Sequence, residues 1–373
     1  MKQGWNNNKL GKLCEIYNGN SINAEYKKKH FLGATEGYPF IATKDVSPLG
    51  TIDYDNGVRI PNYNDYKIAY PNSVFICAEG GSAGKKFAFV EQNVCFGNKL
   101  FCISPKNEIL NGRFIYYFIQ SQRFREQFYS LLSGLIGGVS AKKFKDITID
   151  YPSNKEQERI VERLDAAFAQ IDELKSNAER QLAEARALFQ SALTQAMQPK
   201  PGWQDFSFSQ IIKLKSGDNL PAKSFVEGAY PVYGGNGIAG YHNQYNKEGG
   251  QIVIGRVGAL CGNVRFIESP FWLTDNGFEV ILNKEQKMNL LFLTYLLNFC
   301  NLRQYARQAA QPVISNVSLK DIQLSTPPIK EQQIIVEHLD ALSDHVKELE
   351  EISHKTATEC DALKQALLRQ IFE

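Results

Sequence analysis

The sequence predicts an α+β protein built from two irregular, β-rich blocks, each followed by one long helix. Two observations carry this prediction. A helical segment at residues 155–198 recurs without a gap at residues 330–373. The residues before each copy are rich in glycine, tyrosine, phenylalanine and asparagine, with short alternating apolar stretches. The expected order is block, helix, block, helix, which is a pseudo-two-fold internal repeat.

The two helical copies are similar enough to indicate a duplication. They begin KEQERIVERLDA and KEQQIIVEHLDA, and 17 of their 44 paired positions are identical. Ordinary amphipathic helices of a single helical domain are the alternative, but a shared gapless register favours duplication.

Apolar residues recur in both copies at heptad spacing, which predicts that the two helices pack closely on each other. We assign position a to the line that starts at Leu164 and Leu339, and position d to the line three residues later. Polar residues interrupt line d at the same two places in both copies. The predicted interface residues are Leu164, Ile171, Leu174, Leu188, Leu339, Leu342, Val346, Leu349, Leu363 and Leu367.

The two blocks also correspond, although their sequences have diverged. Gly4-Trp5 opens the first block and Gly202-Trp203 opens the second. Stretches such as SVFICA, FAFVE, QIVIGRV and FEVILN predict strands of an irregular sheet, and a helical stretch follows in each block. We place the first block at 1–153, the first helix at 154–198, the second block at 199–328 and the second helix at 329–373.

Composition narrows the class of protein. The 373 residues are 43% hydrophobic, which is typical of a globular protein, and no apolar run is long enough to cross a bilayer. The N-terminus lacks the apolar core of a signal peptide. Seven scattered cysteines without a CxxC motif indicate neither a disulfide framework nor a zinc site, so we expect a reducing cytoplasm.

Charge is divided between the segments. The first block carries 19 Lys and Arg against 13 Asp and Glu, and the second carries 12 against 9. The helices carry 6 against 8 and 5 against 10. Positive charge on the blocks is compatible with a polyanionic partner and equally with a mixed, solvated surface.

None of the segments that resemble a catalytic motif matches that motif at every required position, so we predict a non-catalytic chain. Residues 79–86 resemble a phosphate-binding loop but lack its first glycine and its final Ser or Thr. Thr326-Pro327-Pro328-Ile329 resembles an amino-methyltransferase motif, but both flanking positions differ. The five histidines form no HExxH pair, and we expect no metal site.

The blocks carry a binding pattern instead, in which basic residues alternate with aromatic residues and amides in loops. Lysine and arginine neutralise phosphates, while Asn, Gln and Arg recognise base edges in the major groove. Each such residue alone is more simply a solvated surface side chain. The candidate DNA-binding residues are Thr43, Lys44, Lys85, Lys86, Asn98, Lys99, Lys142, Lys143, Tyr233, Asn236, Arg256, Asn263, Arg265 and Asn316.

The alternation of blocks and helices, with the segments YPSNKEQERIVERLDAAF and TPPIKEQQIIVEHLDALS, resembles the specificity subunit of a type I restriction-modification enzyme. GYPFIATKDV and AYPVYGGNGIAGYHNQY resemble recurrent segments of its target-recognition domains. The resemblance covers essentially the whole chain. It implies that the blocks are target-recognition domains and that the helices pack as an antiparallel coiled coil.

The resemblance also implies a function. Each block would read one half of a split, asymmetric site in double-stranded DNA, and the helices would hold the two readers apart across an unread spacer. Two methyltransferase subunits would dock on the helices, and motor-nuclease subunits would join them. We expect no cofactor on this chain, with S-adenosylmethionine, ATP and Mg²⁺ on the partner subunits. The alternative from another functional class is a coiled-coil scaffold whose blocks bind protein.

Overall fold

The chain forms two compact units, each built from one block and two half-helices. A computed structural model describes residues 2–48, 50–132, 137–283, 287–307 and 311–373. Unit 1 comprises Met1–Asn177 with His354–Glu373, and unit 2 is Ala178–Ser353. Each unit therefore holds its block, the first half of the helix that follows it and the second half of the other long helix.

The strands of unit 1 form a two-stranded ladder and two four-stranded sheets. The ladder pairs β1 with β10, one sheet has the order β2-β9-β6-β7, and the other has the order β4-β3-β8-β5. The β3–β8 pair is parallel, and the other strand pairs described in unit 1 are antiparallel. The strands are β1 (Asn6–Lys9), β2 (Cys14–Asn18), β3 (Tyr38–Ile41), β4 (Arg59–Ile60), β5 (Ile68–Ala69), β6 (Ser73–Cys77), β7 (Phe87–Val90), β8 (Val94–Phe96), β9 (Leu100–Pro105) and β10 (Thr148–Tyr151).

Short helices and one long helix complete the first half of the chain. They are α1 (Leu10–Leu13), α2 (Ala24–His30), α3 (Gly112–Phe118), α4 (Gln122–Ser130), α5 (Ala141–Phe144) and the long α6 (Asn154–Ala196). The helical stretch expected at the end of the first block is two helices rather than one. Ser121 has an extended backbone between α3 and α4, and its Oγ accepts a hydrogen bond from the Phe124 amide at 3.2 Å, which starts α4.

Unit 2 repeats this topology. A ladder pairs β11 with β19, one sheet has the order β12-β18-β15-β16, and a second has the order β14-β13-β17 with a parallel β13–β17 pair. The strands are β11 (Gln204–Ser207), β12 (Ile212–Ser216), β13 (Tyr230–Gly234), β14 (Gly237–His242), β15 (Gln251–Gly255), β16 (Val264–Ile267), β17 (Trp272–Leu273), β18 (Gly277–Leu282) and β19 (Gln323–Thr326). The helices are α7 (Phe208–Ile211), α8 (Leu290–Phe299), α9 (Asn316–Leu319) and the long α10 (Ile329–Phe372).

A glycine at the same place in both units shows how closely the repeat holds. Gly19 follows β2 and Gly217 follows β12. A Cβ atom at Gly19 would lie 2.0 Å from the Phe96 carbonyl oxygen, and one at Gly217 would lie 2.2 Å from that of Leu273. Each glycine lets the end of one sheet meet the parallel strand pair of the other sheet, so no other residue fits there without moving the backbone.

The half-helices close the core of each unit. In unit 1, Ile160, Val161 and Leu164 of α6 and Leu368 and Phe372 of α10 join the main apolar cluster. In unit 2, the equivalent contributions are Leu193 of α6, Met197 directly after it, and Ile335, Val336 and Leu339 of α10. Burial of these side chains is the main stabilising term, at about 1.5–3 kcal/mol for each large one.

The long helices pair antiparallel within each unit. In unit 1, Lys364 donates to Asp172 and Lys175 lies 3.5 Å from Asp361, so the numbering of the two helices runs in opposite directions. In unit 2, Arg186 binds Glu350 at 2.6 Å. Together with the two α+β blocks, this confirms the predicted fold class.

The packed seam differs from the predicted one in one line. The line through Leu164 and Ile171 is buried as expected, and so are Leu339, Ser353 and Cys360 in α10. Leu174, Leu188 and Leu363 of the predicted line d are instead 57%, 60% and 50% exposed. In α6 the second inward line lies four residues after the first, so that Phe168, Lys175, Leu182, Phe189 and Ala196 are partly covered. Of the remaining predicted residues, Leu342, Val346, Leu349 and Leu367 are half-buried.

Candidate nucleic-acid interface

A buried glutamine, which we call the glutamine clasp, fastens the first block to its helix. The Gln157 Oε1 atom accepts a hydrogen bond from the Asn111 amide at 2.9 Å. Its Nε2 atom donates to the carbonyl oxygens of Ile109 at 2.8 Å and Pro152 at 3.0 Å. The Asn111 side chain in turn caps α3. One fully buried side chain therefore satisfies three backbone groups of the block, which fixes the block on the start of α6.

The second block uses the same clasp. The Gln332 Oε1 atom accepts from the Asn289 amide at 2.9 Å, and its Nε2 atom donates to the Pro327 carbonyl oxygen at 2.9 Å. Asn289 caps α8 as Asn111 caps α3. In the sequence, the repeated Glu-Gln pair marks only the start of each long helix. The presence of the same glutamine in both copies is the sequence feature that could have indicated this contact.

A tyrosine and an aspartate form a second shared contact about two turns further along each long helix. Tyr117 donates its hydroxyl hydrogen to Asp165, and Tyr295 donates to Asp340 at 2.6 Å. Burial, reinforced by the hydrogen bond to the carboxylate, raises the pKa of both tyrosines above the ordinary value of 10.0. Both hydroxyls therefore stay protonated near neutral pH and remain donors.

Unit 1 adds an arginine to this contact. Arg113 Nη2 lies 3.0 Å from Asp165, and Leu291 occupies the equivalent place in unit 2. Burial lowers the pKa of Arg113, but the hydrogen bond and the charge of Asp165 outweigh that effect and raise it. At this contact, the two units therefore share the tyrosine–aspartate hydrogen bond and differ by one ion pair.

The sheets bring most of the predicted binding residues of unit 1 to one end. We call this the loop end of unit 1 and define it as residues 19–22, 42–46, 78–86 and 97–99. These loops adjoin because β2, β3, β6 and β8 end there while β7 and β9 begin there. The end contains six of the predicted residues, namely Thr43, Lys44, Lys85, Lys86, Asn98 and Lys99.

Not all of these six side chains are available to a ligand. Lys86 Nζ donates to the Thr43 carbonyl oxygen at 2.9 Å, so it ties two loops together. Lys44 lies 3.8 Å from Asp45 but is largely exposed. Lys85 and Lys99 are exposed and have no ion pair among the described residues. These last two are the freest cations of the six.

The loop end of unit 2 is formed in the same way. We define it as residues 217–219, 235–236, 256–265 and 274–276, with the end of β13. It contains the predicted residues Tyr233, Asn236, Arg256, Asn263 and Arg265. Asn236 Oδ1 accepts from the Leu260 amide at 2.9 Å, which fastens the β13–β14 turn to the neighbouring loop.

Arg256 is a structural residue within this end. Its Nη1 atom lies 3.4 Å from Ser216 Oγ and 3.3 Å from the Asp275 carbonyl oxygen. Its guanidinium also lies 5.3 Å from the centre of the Phe278 ring. These contacts hold the ends of β12, β15 and β18 together and leave little of Arg256 for a ligand.

The other three predicted residues lie away from the loop ends. Lys142 and Lys143 are exposed on α5, and the carbonyl oxygen of nearby Lys145 accepts from Gly11, at the opposite end of β2. Asn316 is exposed at the start of α9, where it lines a cleft with residues 208–214. Val317 and Ser318 occupy the places of Lys142 and Lys143, so the lysine pair is not repeated.

The described residues give no indication of a metal or reactive-thiol site. Among them, no group of three or more Cys, His, Asp or Glu side chains is arranged to hold a metal ion. Burial raises the pKa of Cys102 and of Cys300 to about 11, so these thiols stay protonated. Within the same ranges, no helix is both long enough and apolar enough to cross a bilayer.

Solved structures with the same fold belong to type I restriction-modification systems. A chain from a study of complex assembly and conformational transition of the type I R-M system has a TM-score of 0.75 and 18% identity, with 99% of this chain and 98% of that chain covered. The HsdS subunit from Thermoanaerobacter tengcongensis has a TM-score of 0.56 and 18% identity, covering 100% and 97%. At this identity the likeness shows the fold.

Sequence relatives carry the same designation. The StySPI specificity subunit of Salmonella potsdam is 24% identical over 100% of this chain and 89% of that protein. The EcoprrI specificity subunit of Escherichia coli is 32% identical, but the match spans 39% of this chain and 37% of that protein. These relatives are named specificity subunits, in agreement with the prediction of a non-catalytic chain.

The family profile described as Type I restriction modification DNA specificity domain matches residues 2–184 and 200–357. The two matches include both blocks and most of both long helices. The chain therefore belongs to the family of type I restriction-modification specificity subunits, as its helix starts and its alternating blocks predicted.

Proposed function

We propose that each block reads one half of a split, asymmetric site in double-stranded DNA through its loop end. The observation that carries this proposal is the contrast between framework and surface. Both units have the same ladder, the same strand order in one four-stranded sheet, a glutamine clasp and a tyrosine–aspartate contact, yet their loop ends carry different side chains. A repeated framework with divergent readers is what an asymmetric two-part site requires.

The proposal extends to two methyltransferase subunits, which dock on the long helices. Leu188 and Leu363 support this assignment, because they occupy the same position of the repeat and are 60% and 50% exposed. An exposed leucine on each helix gives two equivalent apolar contacts, which suits two copies of one partner. Motor-nuclease subunits join the assembly, and the partners carry S-adenosylmethionine, ATP and Mg²⁺.

Methylation mapping tests the reading of DNA. The chain is co-expressed with the methyltransferase encoded beside its gene, and methylated adenines are mapped by long-read sequencing of host DNA. We expect a two-part motif that disappears when the gene for this chain is deleted. Methylation that persists in the deletion strain would contradict the proposal, and an active assembly without any motif would favour the scaffold alternative.

Native mass spectrometry tests the docking surface. We expect two methyltransferase subunits per wild-type chain, one for Leu188→Asp or Leu363→Asp, and none for the double variant, because a buried aspartate opposes an apolar contact. Ala187→Asp and Ala362→Asp are matched controls, since both alanines are exposed at neighbouring, equivalent positions. Two subunits retained by the double leucine variant would reject this surface.

A further inference from the structure

Arg265 differs from the other basic residues at the loop ends in how it is held. It lies on β16, an edge strand of the four-stranded sheet, opposite Val253 of β15. Its half-buried side chain extends over the β13–β14 turn. A Cβ atom added at Gly237 would lie 3.4 Å from Arg265 Nη2, so the guanidinium rests against that glycine. Gly237 has a φ of +108°, which other residues rarely adopt.

The guanidinium of Arg265 is available to a ligand. Among the described residues it takes part in no hydrogen bond or ion pair, whereas Arg256 binds Ser216 and the Asp275 carbonyl oxygen. The same loop end therefore holds one arginine that joins strands and one that does not. Arg265 lies on a strand of the sheet rather than on a loop. Its side chain therefore loses less conformational entropy on binding.

The surroundings of Arg265 suit a base edge in a groove. Tyr233 lies beside it, and although burial raises the pKa of Tyr233, the guanidinium partly opposes that rise. Exposed Ile238 and Leu260 flank the turn. Asn236 is exposed in the same turn, and its Oδ1 atom accepts from the Leu260 amide, which orients this side chain.

We propose that Arg265 reads a guanine in the half-site bound by unit 2, donating two hydrogen bonds from its guanidinium to O6 and N7 in the major groove. This inference rests on the proposed function. The planar guanidinium has a rigid fork of donors that matches the two guanine acceptors, whereas a lysine ammonium is a point charge without a fixed fork.

The test uses Arg265→Gln and Arg265→Lys in the complex with the modification subunit. The wild-type complex must first methylate a two-part motif, and this result alone tests the proposed function. Lys215→Gln is the matched control, because Lys215 is exposed on β12, the opposite edge strand of the same sheet. Methylation is mapped for each variant, and binding is measured on duplexes with each of the four base pairs at the affected position. Thermal melting of each variant checks folding.

We expect both Arg265 variants to accept other bases at one guanine of one half-site, with discrimination falling about 5- to 150-fold. The other half-site and the Lys215→Gln motif stay unchanged. Weaker methylation of all sites with an unchanged motif would assign Arg265 to a phosphate and overturn the proposal. An unchanged motif at full activity would overturn it too. If Arg265→Gln fails to fold, the motif methylated by Arg265→Lys, which retains the charge, is compared with the wild-type motif instead.

Discussion

Unit 1 and unit 2 have the same framework but offer different chemistry at their loop ends. Among the described residues, the cations without an ion pair at the loop end of unit 1 are the exposed lysines Lys85 and Lys99, whereas at that of unit 2 the cation is Arg265, supported by an edge strand. Unit 1 also has α2, with the sequence AEYKKKH, where unit 2 has only a three-residue 3-10 helix at Ala222–Ser224. Lysines suit phosphates and an arginine fork suits a base edge. The framework thus constrains where a reader lies, and the loops decide what it reads.

The largest expected effect is at the starts of the long helices, where equivalent substitutions should destabilise the two units alike. Leu164→Ala and Leu339→Ala each remove a buried leucine from an equivalent place. We expect each to destabilise its own unit by about 2–5 kcal/mol. Native-state hydrogen exchange measures this unit by unit. Leu174→Ala is the control, and we expect a change of about 0.5 kcal/mol or less because that side chain is exposed. A large loss of stability in Leu174→Ala would indicate that Leu174 is packed, as the predicted line d requires.

The two glutamine clasps should contribute different amounts to the stability of their units. Gln157→Met leaves three backbone groups without their partner, and Gln332→Met leaves two. At about 1 kcal/mol or more for each buried group, we expect losses of about 3 and about 2 kcal/mol, measured by the same exchange experiment. Glu158→Ala, on the exposed side of the first helix, should change little. Equal losses at both glutamines would show that the third hydrogen bond contributes nothing.

The tyrosine–aspartate contacts give a smaller difference. Asp165→Asn weakens contacts with both Tyr117 and Arg113, whereas Asp340→Asn weakens a contact with Tyr295 alone. Since Asp165 and Arg113 are each more than a third exposed, we expect only about 1.5 kcal/mol against about 1 kcal/mol in urea unfolding. Arg113→Leu, which copies unit 2, should make the two aspartate variants equivalent. A difference that survives this change would place its origin elsewhere.

The smallest effect concerns alkaline pH. The folded-state pKa of Tyr117 and of Tyr295 is raised, so the unfolded chain releases these protons first as the pH rises. Their contribution is complete below about pH 10 and is lost progressively above it. Tyr117→Phe and Tyr295→Phe should therefore flatten the decline of stability with pH, followed by thermal melting from pH 8 to pH 11. An unchanged slope in both variants would contradict the raised pKa values.

The sequence predicted those features that depend on local pattern or on the repeat itself. The long helices, the two blocks and the family followed from the segments that begin at Lys155 and Lys330. The second line of the seam did not, because α6 has apolar residues both three and four positions after line a. Leu174 and Leu188 compete there with Phe168, Leu182 and Phe189. Tertiary packing, which heptad spacing alone does not define, selects the second set.

The binding residues show a similar limit. Residue type alone placed Arg256 and Arg265 in one category, yet Ser216 and Asp275 hold the first, and the second has no hydrogen-bond partner among the described residues. That distinction depends on strands far apart in sequence meeting at one sheet end. The glutamine clasp could not be predicted either, since two of its three partners, Ile109 and Asn111, lie more than 40 residues before Gln157.

The central claim is that the two blocks read two separated halves of one site. The most direct measurement substitutes every base pair of the methylated site in turn and follows methylation by the wild-type complex. We predict two clusters of sensitive positions separated by a spacer where any base is accepted. A single continuous cluster, or sensitivity confined to one side of the methylated adenines, would contradict the account.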